Sequence, residues 1–84
     1  MTRKQVQDEW NIVASELETR DYETFWRHVT FPFEFDLVVQ GIAANVYVVE
    51  LGNERDHIDI GVELNIYAPE KNYWHESNIV IYKK

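Results

Sequence analysis

The chain has 84 residues, no cysteine, and 15 Asp and Glu against 8 Lys and Arg, for a formal net charge of −7. That length holds one domain with a single helical layer on a single sheet, and the missing cysteines exclude a disulfide framework and a thiolate zinc site. The charge is concentrated: residues 28–70 carry eight acids (Glu34, Asp36, Glu50, Glu54, Asp56, Asp59, Glu63, Glu70) against the single base Arg55, while the remainder carries seven of each sign. Such a surface disfavours nucleic acid and anionic membrane as direct partners and favours a basic protein. The charged opening Met1–Trp10 is unlike a signal peptide, and no apolar run approaches the roughly 20 residues that span a bilayer; the expectation is a soluble, cytoplasmic protein. Three Trp, five Tyr and four Phe offset the small core, because each buried aromatic removes about 150–250 Å² from water.

Thr2 and Gln5 have capping-box spacing, and Val6, Trp10, Val13 and Leu17 then recur at helical intervals along one face, leaving Ile12 off the stripe. Arg20 places positive charge at the negative end of this helix. Asp21 is positioned to cap a second, short helix carrying Phe25, Trp26 and Val29 inward. From residue 31 the period changes to two: Phe31, Phe33, Phe35, Leu37 and Val39 alternate with Pro32, Glu34, Asp36, Val38 and Gln40. Gly41 predicts a turn or bulge near residues 41–45, followed by a strand from Asn45 to Leu51. Gly52–Arg55 has hairpin-turn chemistry. A third strand over 56–67 sets Ile58, Ile60, Val62, Leu64 and Ile66 on one face and His57, Asp59, Gly61, Glu63, Asn65 and Tyr67 on the other. Ala68–Asn72 reads as a loop and Tyr73–Tyr82 as a fourth strand. Pro32 suits the start of an edge strand, and Lys83 and Lys84 are placed to blunt the opposite edge.

Helices followed by closely spaced strands predict an α+β domain over residues 1–84, with an N-terminal helix and a short second helix packed on a four-stranded antiparallel meander. The run Leu17–Trp26, followed by Val29-Thr30-Phe31-Pro32-Phe33, resembles the opening of NTF2-like proteins, in which a long helix, an acid-capped short helix and a strand succeed one another. A cystatin-like shape, one helix wrapped by a four-stranded sheet, is the simpler analogy at this length.

If the apolar positions of the strands face the helix, Glu34, Asp36, Asp59 and Glu63 share the opposite face. Carboxylates on one sheet without interleaved Lys or Arg repel one another, and a basic partner relieves that repulsion. A solvated face that only keeps the protein soluble is the competing reading. Strands 2 and 4 are apolar on both faces, so Tyr47, Tyr67, Trp74 and Tyr82 are candidates for exposed interface anchors. The sequence Asp56-His57-x-Asp59, with His75-Glu76 nearby, offers metal-type ligands but no recognised spacing, and no cofactor is expected. Catalysis needs a desolvated acid or base, whereas the inward positions of the clear strands are all apolar, so no enzymatic activity is expected. The sequence thus predicts a small acidic inhibitor of a basic nuclease, toxin or nucleic-acid-binding complex. Glu34, Asp36, Asp59 and Glu63 would pair with Lys or Arg in its groove, and Tyr67 and Trp74 would anchor the contact. In size and charge the chain is similar to toxin-neutralising immunity proteins and phage-encoded inhibitors, a likeness of physical character rather than motif. The alternative expectation is a cystatin- or NTF2-like module that forms a homodimer or holds a small apolar ligand near Trp10, Trp26 and Phe35.

Overall fold

The first helix is fixed at its start by reciprocal capping. Thr2 Oγ1 accepts from the Gln5 backbone N–H at 3.2 Å, and Gln5 Oε1 accepts from the Thr2 backbone N–H at 2.7 Å. In the computed structural model, which describes residues 1–83, helix α1 runs Arg3–Thr19. Its buried residues are Val6, Trp10, Val13 and Leu17, the stripe expected from the spacing, and Ile12 is exposed.

The expected second helix does not form. Between Asp21 and His28 the backbone bonds change span at each step: Phe25 N–H donates to Asp21 O, Arg27 N–H to Tyr22 O, and His28 N–H to Phe25 O. These spans of four, five and three residues leave only a 3-10 turn at Trp26–His28. Asp21 caps a turn instead, its Oδ1 accepting from the Glu23 N–H at 2.8 Å. The cause lies in the aromatics. Phe25 and Trp26 are adjacent, so a regular helix would turn them about 100° apart. Here Trp26 stacks parallel to Phe31 at 6.4 Å, while Phe25 meets Phe33 edge-on at 6.2 Å. Side-chain packing outweighs the few hydrogen bonds that so short a helix could add.

Four strands follow: β1 (Phe33–Val39), β2 (Ile42–Asn53), β3 (His57–Tyr67) and β4 (Asn72–Tyr82). They pair antiparallel in sequence order as a meander. The first hairpin is tighter than expected: Gln40 (φ 48°) and Gly41 (φ 78°) form a two-residue turn and β2 begins at Ile42, not Asn45. Two successive left-handed residues match the right-handed twist of the flanking strands, which a five-residue turn would not need to do. In the second hairpin the strand continues through Gly52 and Asn53, with a bulge at Leu51. Lys83 clamps this loop rather than blunting the β4 edge: its Nζ donates to the Glu54 carbonyl at 2.7 Å and its N–H to the Asp56 carbonyl at 2.9 Å. Lys84 lies outside the described residues.

One face of the sheet is the core. Val46, Val48, Ile60, Leu64 and Ile66 are fully buried, joined by Ala44, Ile58, Val62, Ile79 and Ile81. Helix α1 packs chiefly on β4, with Trp10 against the His75 ring at 5.1 Å and the Tyr73 hydroxyl donating to the Met1 carbonyl. The helix therefore leaves the inner face of β1 partly open. Phe35, expected beneath the helix, is 39% exposed, and Phe31 lies outside the strand.

Candidate functional site

Because side chains alternate along a strand, the register fixes which residues share the face turned away from α1. One cross-strand row is Glu34–Tyr47–Glu63–Glu76, spanning all four strands. The adjoining row is Asp36–Asn45–Asn65–Trp74. Farther along stand Val49, Gly61 and Asn78, then Gly52, Asp59 and Val80. The four strands contain no Lys or Arg. All Lys and Arg among the described residues lie on the helix, in turns or in loops.

The structure thus brings Glu34, Asp36 and Glu63 together and adds Glu76, directly opposite Glu63. Asn45 lies between the two acids of β1. Its side-chain amide donates to Asp36 Oδ1 at 3.0 Å and to Glu34 Oε2 at 3.3 Å, fixing both carboxylates on the open face. Asp59 is set apart, four residues from Glu63 along β3, or about 13 Å at strand rise. Its neighbour is His57, whose Nε2 is 3.8 Å from Asp59 Oδ2, while Nδ1 lies 2.7 Å from Asp56 Oδ1. The hydrogen bond from His57, aided by the Asp56 backbone N–H, holds the Asp56 carboxyl below its ordinary value of 3.8. Among the described residues no group of three or more His, Cys, Asp or Glu side chains is arranged to hold a metal ion.

Exposed apolar side chains flank the acidic rows. At one end are Val38, Tyr67 (51% exposed) and Trp74 (59% exposed); at the other are Leu51, Val80 and Tyr82. Gly61 makes room for the second group. A Cβ there would lie 3.0 Å from Val49 Cγ2 and 3.4 Å from both Leu51 methyl groups, so both side chains lie across the glycine backbone. With Tyr47, Glu63, Glu76 and Asn78 they border a depression of about 240 Å³. Four strands of 7, 12, 11 and 11 residues, at about 4.8 Å spacing and about 3.4 Å rise, make this face roughly 670 Å², close to the ~800 Å² per partner of a standard interface.

Glu76 and Asn45 are the site residues that sequence reasoning missed. Glu76 shares parity with Trp74, which was a sufficient signal. Asn45 required the β1–β2 register, and hence the tight Gln40-Gly41 turn. Comparison with protein-family models, curated proteins and solved structures returns no match. Among the described residues no helix is long and apolar enough to cross a membrane.

Proposed function

We propose that this protein binds and occludes a basic protein surface, the groove of a nuclease, toxin or nucleic-acid-binding complex, through the open face of its sheet. The observation that carries this reading is the row Glu34–Tyr47–Glu63–Glu76 on a sheet without a single Lys or Arg. Carboxylates held side by side repel, and a sheet selected only for stability and solubility interleaves both signs. Cationic side chains of a partner relieve the repulsion and are steered toward the face before contact. Tyr47, Tyr67 and Trp74 supply the desolvated aromatic area, and Asn45 holds the two β1 carboxylates in place. Spaced carboxylates on a firm sheet take the place of phosphates, so the partner's nucleic-acid groove is filled without chemistry. A cystatin-like shape and a cytoplasmic site of action belong to the same reading.

The experiment is an NMR titration with an arginine-rich peptide as a defined basic probe. Shifts should concentrate at Glu34, Asp36, Asn45, Glu63 and Glu76 and weaken in salt. Shifts spread equally over the helix acids Asp8, Glu16 and Glu18 would mean non-specific attraction to net charge and would reject the proposal.

A further inference from the structure

On the opposite side of the sheet, the offset of α1 toward β4 leaves a groove of about 460 Å³ lined by Leu17, Arg20, Phe25, Val29, Thr30, Phe33 and Phe35. Of Trp10, Trp26 and Phe35, around which an apolar cavity was expected, only Phe35 lines it. Its volume falls within the range of small-molecule sites, about 300–1,000 Å³, and its walls have their usual chemistry, aromatic and aliphatic with few polar groups. Phe33 and Phe35 lie nearly parallel at 6.5 Å, and Phe25 meets Phe33 edge-on, so the wall is a ribbed aromatic surface. Phe35 remains 39% exposed on the face that the strand pattern assigns to the core. It is a large apolar side chain with space in front of it.

Arg20 is the only charged residue among those lining the groove. Its guanidinium stands over the Phe25 ring at 4.6 Å from the centroid. Among the described residues it has neither a carboxylate partner nor a side-chain hydrogen bond, unlike Arg27, which pairs with Glu23 at 2.7 Å. The aromatic contact stations a planar, multi-donor cation at the rim of an apolar trough, which suits an apolar molecule ending in a carboxylate. We infer that the groove binds a small aromatic or aliphatic carboxylate, its body against Phe25, Phe33 and Phe35 and its carboxylate accepting from Arg20. This site is separate from the acidic face and does not depend on it. The polarity is specific, because a protein of net charge −7 otherwise repels anions and attracts cations.

Three ligands with one apolar body test it: 4-phenylbutyrate, 4-phenylbutanol and 4-phenylbutylamine, each titrated into the full chain and followed by NMR. The carboxylate should bind tightest, about tenfold better than the alcohol for one charge-assisted contact, with shifts at Phe25, Phe33 and Phe35. Arg20→Gln, an exposed change that leaves the core untouched, should bring carboxylate and alcohol together, whereas Phe35→Ala should weaken both. Equal binding of all three ligands, preference for the amine, an undiminished carboxylate preference in Arg20→Gln, shifts confined to the other face, or no binding at millimolar concentration would each overturn the inference.

Discussion

Neutralising the acidic row should stabilise the fold. Glu63 stands directly opposite Glu76, with Glu34 two strands away across Tyr47. Carboxylates about 6 Å apart in a water-like dielectric repel by about 0.7 kcal/mol, and the second neighbour at about 10 Å adds roughly 0.4 kcal/mol before screening. Glu76→Gln should therefore gain about 0.5 kcal/mol at low salt and Glu63→Gln, with acids on both sides, about 1 kcal/mol. For a domain of this size, 1 kcal/mol corresponds to about 4–8 °C in Tm. The assay is thermal unfolding by circular dichroism at 10 mM and 1 M NaCl. The gain should be present at low salt and vanish at high salt, where the screening length falls to about 3 Å. An unchanged or lower Tm at 10 mM, or a gain indifferent to salt, would show that the carboxylates do not repel and would remove the physical basis of the binding proposal. A stabilising substitution that also abolishes binding is the signature of a surface kept acidic for a partner.

Three further outcomes follow from the core and the second hairpin. Leu64→Ala, at a fully buried position in β3, should cost about 2–5 kcal/mol in urea unfolding. Trp26 is buried and its indole N–H has no acceptor among the described residues. Trp26→Phe removes that unmet donor and should cost less than about 1.5 kcal/mol, against roughly 3–5 kcal/mol for Trp26→Ala. The Asp56 carboxyl should titrate below 3.8 by NMR and rise toward the ordinary range in His57→Asn, the backbone bond remaining. A depressed folded value makes this bond's contribution full above the unfolded value and lost as pH falls through the folded one. Wild type and His57→Asn should accordingly converge in stability at the acid end.

The β-sheet was legible because its signal is redundant. Ile58, Ile60, Val62, Leu64 and Ile66 repeat one decision five times, and all are buried. Helix α1 was legible for the same reason, with its cap and its stripe in agreement. The Asp21–His28 segment was not, since its local signals were helical while the outcome was set by stacking of Trp26 on Phe31. The outward positions of Glu34, Asp36, Asp59 and Glu63 follow from strand parity. Their grouping depends on register, which the bulge at Leu51 and the tight Gln40-Gly41 turn decide. Asp59 stands apart because it lies four residues from Glu63 on the same strand, and Glu76 stands within the row because the β3–β4 register sets it opposite Glu63. The open flank of β1 was illegible because strand pattern specifies which face is apolar, not how far a single helix reaches across it.

The most direct test of the acidic-face account is affinity capture from a lysate of the protein's natural host, identified by mass spectrometry, with wild type and Glu63→Lys/Glu76→Lys compared side by side. The account predicts a basic nuclease, toxin or nucleic-acid-binding protein retained by wild type, released by salt and lost from the charge-reversed variant while its circular dichroism stays native. A basic partner held equally by both forms, or no basic partner held by wild type, would contradict it.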